Sequence, residues 1–401
     1  MANVPIVFQE VLNLVQLGVP DASIKHGLTT MQSDNWIVCV EPNQVTLVDL
    51  KNNAQVTRRP MKAEAAIMNP TANILGLRSG STIQVFNLDT KQKLKSYNMP
   101  EPCVFWKWAN ATTLALVTAT SVFHWYVESG DPVKLFDRHP SIGTNCQIIN
   151  YQVAPDGKWC VLGGISAGAG GTVNGNMQLY SVEKKVSQPL QGHASAFATF
   201  KIVGREDPAQ VLVFHEKKAE SPPNEPPKLF VMEIGRDPAK GSPFRLPPTV
   251  IPVPADAAAD FPVSLVVDAK DDIAFLITKM GYLYMFDIHS GKTMYRAKIT
   301  QETVFVTCAQ EATGAMFGIT VRTGKVLRVQ LNGQALVPYI MSTLRDNELA
   351  IKIAGRLNLP GAENLYAAEF ERLITARQVV EAAKLVASSG TALRTPATIA
   401  R

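Results

Sequence analysis

The chain has 401 residues, 46% of them hydrophobic, which is enough apolar material to bury a large core. A formal net charge of +5 is too small to predict nucleic-acid binding by itself. The first residues lack the basic and apolar regions of a secretory signal, no stretch approaches about eighteen uninterrupted apolar residues, and the five cysteines form no CxxC pair. These features argue against a secretory leader, a membrane-spanning helix, a disulfide framework and a cysteine zinc site, and favour reduced thiols in the cytosol.

A short apolar strand recurs along most of the chain, usually preceded by another strand and a tight turn. The copies are VTLVDL (45–50), IQVFNL (83–88), SVFHWY (121–126), MQLYSV (177–182), LFVMEI (229–234), LYMFDI (283–288) and LRVQLN (327–332). A meander of about four strands with a period near 40 residues is typical of propeller blades. The sequence therefore predicts an all-β seven-bladed propeller over residues 1–337.

Two further features complete the predicted ring. PIVFQEVLNL near the N-terminus is unpaired in the meander and can supply the strand that closes the ring and removes its open edge. The Gly- and Pro-rich insertions SAGAGGTVNG and AESPPNEPP account for the longer spacings and are predicted to be loops.

The second predicted blade carries a concentration of positive charge. Between Lys51 and Pro100 the chain has eight basic and two acidic residues, a net charge of +6. Lys91, Lys93 and Lys95 stand on alternate positions, which predicts a one-sided positive ladder along a strand. Such a ladder either protects a solvated edge strand or lies against an acidic partner.

After about Pro338 the apolar residues follow a helical period. Asp346 can cap a helix with Leu349, Ile353 and Leu357 on one face, and two more apolar stripes follow. The last of these stripes consists of Val379, Val380, Ala383 and Val386. Residues 338–401 are therefore predicted to begin an α-helical solenoid, and we expect the sequence to be the N-terminal piece of a longer chain.

Catalytic patterns are few. Gly164 to Gly168 fits GxSxG with Ser166 as the nucleophile, but that motif needs a helix directly after it, and here a glycine-rich stretch and another strand follow. The histidines occur singly, without metal-ligand spacing. A propeller hydrolase using Ser166 or a central-channel histidine is the alternative to a non-enzymatic binding protein. Nucleic-acid binding by the second blade is a third hypothesis, although interleaved exposed aromatics are missing.

Many segments resemble those of one known family, in order along nearly the whole chain. They are QEVLNLVQLGV, AIMNP, IQVFNLDTKQKLK, FWKW, CQIINY, VSQPLQGHA, DFPV, ITKMGYLYMFD, NLPGAENL, EAAKLVA and LRTP, and they are similar to the N-terminal region of the clathrin heavy chain. The resemblance implies a non-enzymatic vesicle-coat protein without a cofactor, whose propeller on a helical linker captures short acidic, hydrophobic peptides of adaptor and accessory proteins.

The resemblance also implies a place in the cell and a set of partners. The chain would lie at the cytoplasmic face of coated pits and coated vesicles and act in endocytosis and intracellular transport. It would touch the membrane only through adaptors, would bind no nucleic acid, and would join other heavy chains and light chains through regions outside this sequence.

Three binding sites follow from the resemblance. The residues of the groove between the first two blades are Leu47, Arg59, Leu75, Thr82, Gln84, Phe86, Lys91 and Lys93, with Thr57 where an aliphatic residue is usual. A site on the top surface corresponds to His26, Gln147 and Ile149, with His26 in place of a phenylalanine. The groove between blades four and five has Trp159, Leu179, Lys184, Val186, Gln188, Leu190, Phe214 and Lys217, its two lysines replacing arginines.

Overall fold

A computed structural model describes residues 4–202, 204–217, 226–310, 312–389 and 393–394. Most of the insertion AESPPNEPP, residues 219–225, lies outside this part. The chain divides into two compact units, Glu10–Arg328 and a second unit made of Met1–Gln9 with Val329–Arg401. No helix in the described part is long and apolar enough to cross a membrane.

Seven sheets of four strands each form a β-propeller, as the repeats predict. The first strand of the chain, β1 (Ile6–Asn13), belongs to the last blade. Blade one consists of β2 (Thr29–Ser33), β3 (Trp36–Glu41), β4 (Gln44–Asp49) and β5 (Gln55–Arg59). Blade two consists of β6 (Ala65–Met68), β7 (Ile74–Ser79), β8 (Thr82–Asn87) and β9 (Gln92–Asn98). Blade three consists of β10 (Phe105–Trp108), β11 (Thr113–Val117), β12 (Ser121–Tyr126) and β13 (Val133–Asp137).

The remaining blades repeat this order. Blade four consists of β14 (Gln147–Val153), β15 (Trp159–Ala167), β16 (Val173–Ser181) and β17 (Val186–Gln191). Blade five consists of β18 (Ala194–Phe200), β19 (Ala209–Glu216), β20 (Lys228–Glu233) and β21 (Thr249–Val250). Blade six consists of β22 (Pro262–Asp268), β23 (Ile273–Thr278), β24 (Tyr282–Asp287) and β25 (Thr293–Lys298). Blade seven combines β26 (Val304–Gln310), β27 (Ala315–Thr320) and β28 (Lys325–Leu331) with β1. Each apolar repeat coincides with the third strand of its blade.

The seventh blade joins the two ends of the propeller sequence. Its strand order is β1-β28-β27-β26, so β1 covers the outer edge of β28. Beyond β1 the ladder continues, because the Leu14 backbone N–H donates to the Gly324 carbonyl at 2.9 Å. The inner strands β26 and β2 also lie side by side, so the last blade meets the first. The predicted closure by the N-terminal strand is confirmed, and it removes an edge that would otherwise be open to pairing.

The apolar core lies between blades rather than at one centre. One cluster joins Val38, Val45 and Leu47 of blade one to Leu75 and Leu77 of blade two. Similar clusters join blades two and three, three and four, four and five, five and six, and seven and one. Each blade therefore depends on its neighbours to bury its faces.

The insertion SAGAGGTVNG is not a loop, which corrects the sequence-based prediction. Strands β15 and β16 continue through it, with Ser166 opposite Asn174 and Ala167 opposite Val173. Only a short turn remains at its tip, where the Gly168 N–H donates to the Thr172 carbonyl at 2.8 Å. An antiparallel ladder needs backbone groups alone, so glycine and asparagine can extend it.

Helices begin at Gly333, five residues before the predicted start. In the described residues they are α1 (Gly333–Tyr339), a π-helical turn (Ile340–Leu344), α2 (Asn347–Leu357), α3 (Glu363–Thr375) and α4 (Val379–Ser388). Asp346 caps α2 as predicted, accepting a hydrogen bond from the Leu349 N–H at 3.0 Å. Short 3₁₀ turns elsewhere span Asp21–Ser23, Pro140–Ile142, Ala169–Gly171, Pro238–Lys240 and Ala255–Ala257.

The predicted apolar stripe of α4 is wrong. Val379 and Val380 are 60% and 68% exposed, and Ala383 is exposed as well. Ala382 is the residue that the helix buries. Helix α4 packs against α3, and this contact buries a narrower face than the periodicity indicates.

Two turn glycines with positive φ provide a matched test of the propeller. Gly80 and Gly281 both connect the second and third strands of a blade, at φ +57° and +81°. A methyl group at Gly80 would meet no atom within 4 Å, whereas one at Gly281 would overlap the Thr300 carbonyl oxygen.

We expect Gly80→Ala to cost about 1 to 2 kcal/mol through left-handed backbone strain alone. Gly281→Ala should cost roughly 1 to 3 kcal/mol more because of the overlap. Urea unfolding of both variants measures the difference, and equal losses would contradict it.

Candidate functional site

Strand β8 presents two different faces to its neighbours. Ile83 and Val85 are buried against blade three. Gln84 and Phe86 point the other way, directly opposite Leu77 and Leu75 on β7. Because Leu75 and Leu77 pack against blade one, Gln84 and Phe86 lie at the junction of blades one and two. The structure thus places the apolar part of the predicted groove between these blades.

The three lysines do not form a one-sided ladder, which corrects the sequence-based prediction. A β-bulge between Val85 and Phe86 pairs Phe86 with Lys93 and Val85 with Lys95. Directly opposed residues share a face, so Lys93 lies on the side of Phe86 and Lys95 on the opposite side. Lys91 lies in the preceding turn, at φ +56°.

Lys95 belongs to the junction of blades two and three. Its Nζ donates to the carbonyl oxygens of Tyr126, Ser129 and Gly130 at 3.2, 2.5 and 3.3 Å. Lys91 and Lys93 are exposed, and neither forms an ion pair with a described residue. Two of the three cations are therefore available to an acidic ligand.

Arg59 adds a third cation to the same groove. It lies opposite Val45, a residue of the cluster between blades one and two, so its side chain faces blade two. Arg59 is half-buried, and its Nε is buried without a hydrogen-bond partner among the described residues. Thr57 lies two residues earlier on the same face, opposite Leu47.

The remaining residues of this groove have different degrees of exposure. Leu47 and Leu75 are 2% and 0% exposed, so they form the floor rather than the contact surface. Thr82 is half-buried at the start of β8. Met61 and Leu88 are half-buried on the same apolar cluster, and the sequence analysis missed both. Leu88 follows Gln84 and Phe86 at the same spacing of two, a signal that could have identified it.

The groove between blades four and five gathers most of its predicted residues. Trp159 and Leu179 share the face of blade four that packs on Phe214 of blade five. Val186, Gln188 and Leu190 pair with Ser181, Leu179 and Met177, so they extend the same face along β17. Lys184 is exposed in the turn between β16 and β17.

Lys217 is not part of this groove, which corrects its assignment. Phe214 faces blade four, and Lys217, an odd number of residues later in extended chain, faces the other way. Its Nζ donates to the carbonyl oxygens of Ala258 and Asp260 at 2.7 and 2.9 Å. Burial lowers the pKa of Lys217.

The top-surface residues separate into two positions. His26 and Ile149 line a central cavity of about 940 Å³ inside the ring of blades. Gln147 is exposed at the start of β14 and does not line that cavity. Burial lowers the pKa of His26, the residue that replaces the expected phenylalanine, and so disfavours its charged form.

Ser166 lies within β15 rather than in a loop. Its Oγ accepts a 3.4 Å hydrogen bond from Asn176 Nδ2. A nucleophile elbow needs a helix after the serine, whereas β16 follows here after a short turn. His193, which lines the central cavity, has its Nε2 2.8 Å from the Val173 carbonyl. Neither residue has the partners of a serine hydrolase in the described part of the chain.

The described residues contain no candidate metal site and no disulfide. In the ranges that the structure describes, no three histidine, cysteine, aspartate or glutamate residues come together as a metal site. All five cysteines are buried and none forms a disulfide, and burial raises the pKa of Cys39 to about 12.

The fold and these grooves define a seven-bladed β-propeller followed by α-helices, with apolar clefts between blades and cations at their rims. A crystal structure titled as the β-propeller domain of Cps50 (Swd1) from Myceliophteria thermophila matches with a TM-score of 0.51, covering 77% of this chain and 98% of that chain. A chain in the mitotic checkpoint complex matches with a TM-score of 0.55, covering 82% and 95%. Both are 9% identical, so they support the fold alone.

Sequence comparisons find similarity to clathrin heavy chains. Residues 334–356 match the model described as clathrin heavy-chain linker, and residues 358–401 match Clathrin-H-link. A probable clathrin heavy chain 1 from Caenorhabditis elegans is 44% identical over 98% of this chain and 23% of its own length. The clathrin heavy chain of Drosophila melanogaster is 43% identical over 99% of this chain and 24% of its own length. The chain spans about a quarter of these relatives, and its resemblance to the N-terminal region of the clathrin heavy chain is confirmed.

The separation of Lys93 from Lys95 predicts different effects on stability. Lys95→Ala removes hydrogen bonds from a cation to three carbonyl groups and is expected to lower the free energy of unfolding by about 0.5 to 1.5 kcal/mol. Lys93→Ala, at an exposed side chain, should stay within about 0.5 kcal/mol of the wild type. Parallel urea titrations compare the two variants. A larger loss of unfolding free energy for Lys93→Ala than for Lys95→Ala would contradict the opposite placement of the two lysines by the bulge.

Proposed function

We propose that this chain is the adaptor-binding N-terminal part of a vesicle-coat protein that is not an enzyme. Its sequence similarity to clathrin heavy chains supports a coat role. In this proposal the propeller lies at the cytoplasmic face of coated pits and coated vesicles and connects the coat to cargo adaptors. Contacts with the membrane pass through those adaptors.

The groove between blades one and two is the main peptide site of the proposal. The observation that carries it is the common face of Gln84, Phe86 and Lys93, joined by Lys91 in the adjacent turn and by Arg59 from blade one. An extended peptide with leucine-like side chains at alternate positions can place them on the Phe86 surface. Its acidic end then lies near cations that have no partner in the described structure.

The groove between blades four and five and the top-surface site are secondary peptide sites in this proposal. Between blades four and five, Trp159, Val186 and Leu190 provide apolar surface, while Lys184 is the remaining cation because Lys217 faces blade six. We propose that this groove takes a more apolar peptide than the first. At the top surface, His26 and Ile149 line the central cavity apart from Gln147, and a tryptophan-containing peptide would have to bridge them.

Burial of leucine side chains should dominate peptide binding. Fully burying one leucine contributes roughly 1.5 to 3 kcal/mol. A solvent-exposed ion pair contributes about 0 to 1 kcal/mol and is screened by salt. The charges of Lys91 and Lys93 therefore orient the acidic end of the peptide and add little affinity.

We expect the double variant Gln84→Ala, Phe86→Ala to lose nearly all binding of an acidic, leucine-rich pentapeptide, because it removes the apolar contact surface. Lys91→Glu alone should weaken binding, and the loss of affinity should be smaller at high salt, where ions screen the charge. Lys95→Ala is the matched control, since Lys95 faces blade three and should leave binding unchanged. Fluorescence anisotropy measures all three. Equal losses from the double variant and Lys91→Glu would contradict the ranking.

A single motif should bind weakly. Two or three leucine-like side chains supply about 4 to 8 kcal/mol of burial free energy, from which the cost of ordering the peptide must be subtracted. We expect dissociation constants on the order of 10 μM to 1 mM. Tandem motifs presented to propellers clustered on a bead should bind far more tightly through raised effective concentration. Nanomolar binding of one motif to the isolated chain, or no gain on clustering, would refute this multivalent mechanism.

Two controls separate this proposal from the other hypotheses. Contacts with nucleic-acid phosphates would give a steep dependence of affinity on salt concentration, whereas a leucine-anchored peptide gives a shallow one. A screen for hydrolytic turnover with the wild type and Ser166→Ala addresses the enzyme. Turnover that Ser166→Ala abolishes would overturn the non-enzymatic assignment.

A further inference from the structure

The ring of blades encloses a cavity with the dimensions of a small-molecule site. Its volume is about 940 Å³, and its wall includes residues of the innermost strand of every blade, β2, β6, β10, β14, β18, β22 and β26. Sites for small organic ligands commonly measure about 300 to 1,000 Å³. The cavity is separate from the outer grooves, whose rims are formed by the outer strands.

Positive charge predominates on this wall. Its charged residues are Lys51, Arg78, Lys107 and Asp34, and it also includes His26 and His193, whose pKa values burial lowers. The Asp34 carboxylate accepts a 2.9 Å hydrogen bond from Gln310 Nε2. Arg78 Nη1 donates to the Cys103 carbonyl at 2.7 Å, while its Nε is buried without a partner in the described part of the chain. Lys51 is exposed and Arg78 is held by this carbonyl, so the half-buried Lys107 is the cation to consider.

Lys107 is a cation inside the ring that no anion of the described residues balances. It lies on β10 between Trp106 and Trp108, which pack in the core between blades two and three. No described residue forms a hydrogen bond or ion pair with its Nζ. Lys107 is half-buried, and this burial lowers the pKa of its ammonium group, while the electrostatic influence of Cys308, on the seventh blade, opposes the shift. An ammonium group that is partly withdrawn from water and has no ion-pair partner among the described residues gains from a bound anion.

The rest of the wall suits an apolar ligand body. Phe105, Phe197 and Phe305 come from three different blades, line the cavity and are each half-buried, so part of every ring remains accessible. Polar side chains, including Asn150 and Thr307, cover a comparable share of the wall. The wall can therefore contact both the apolar body and the polar groups of a small ligand.

We propose that the central cavity of the propeller binds a small organic anion. Its carboxylate, sulfonate or phosphate group pairs with Lys107, and its aromatic or aliphatic body packs against the phenylalanine rings. Binding there is independent of peptide capture in the outer grooves, so the propeller carries a second class of ligand site.

The test uses 8-anilinonaphthalene-1-sulfonate, which joins one sulfonate to apolar rings and fluoresces more strongly in apolar surroundings. Lys107→Met removes the charge and keeps the apolar stem, and Lys270→Met makes the same change at an exposed lysine in the turn between β22 and β23, outside the cavity and the proposed grooves. We expect Lys107→Met to weaken binding of the probe about tenfold or more, with Lys270→Met unchanged and Lys107→Arg retaining most of the affinity. Equal affinity of Lys107→Met and the wild type would overturn the proposal.

A second measurement uses the wild-type protein and so does not depend on the folding of a variant. Acetic anhydride labels lysine amines, and mass spectrometry reports the extent of labelling at each position. The bound probe should protect Lys107 at least severalfold and leave the exposed Lys270 labelled as before. Equal labelling of Lys107 with and without the probe would show that the anion binds elsewhere.

Discussion

The need to cover both faces of every blade determines this fold. Strands β23 and β24 are buried along their whole length, so the sixth blade exposes neither face of its central strands. A single four-stranded sheet cannot achieve this, and neither can an open row of sheets, whose end blades would each expose an apolar face. Closure through β1 and β28 gives the last blade its fourth strand and brings it beside the first. Every other feature, including the grooves and the central cavity, follows from this closed packing.

The grooves arise where two neighbouring blades diverge. At the junction of blades one and two, Leu47 and Leu75 are fully packed, whereas Phe86 and Leu88 remain half-buried. One β-bulge then determines which charges accompany this surface. It assigns Lys93 to the junction of blades one and two and Lys95 to the junction of blades two and three. A displacement of one residue thereby separates a candidate ligand-binding cation from a structural one.

The same reasoning explains why the outer grooves and the central cavity suit different ligands. In the proposed function, an outer groove takes an extended chain with side chains at alternate positions. The inner strands line the central cavity, and no described residue forms an ion pair with Lys107 on its wall. Lys107 is half-buried there, and water screens a partly withdrawn charge less than a fully exposed one. We therefore expect charge to contribute more to binding in the cavity than in the outer grooves.

The sequence by itself determined the seven repeats, the closing strand and the Asp346 cap, because strand alternation, turn residues and capping act over a few neighbouring residues. The spacing of residues along an extended chain also placed Lys217 on the side opposite to Phe214, three residues away, and Leu88 on the side of Phe86, two residues away. Only the tertiary structure decided the bulge that divides the lysines, the extension of β15 and β16 through a glycine-rich segment, and the burial of Ala382 instead of Val379. It alone also brought seven inner strands around Lys107. These features depend on pairing register and on contacts between segments far apart in the chain, and no local pattern of residues encodes them.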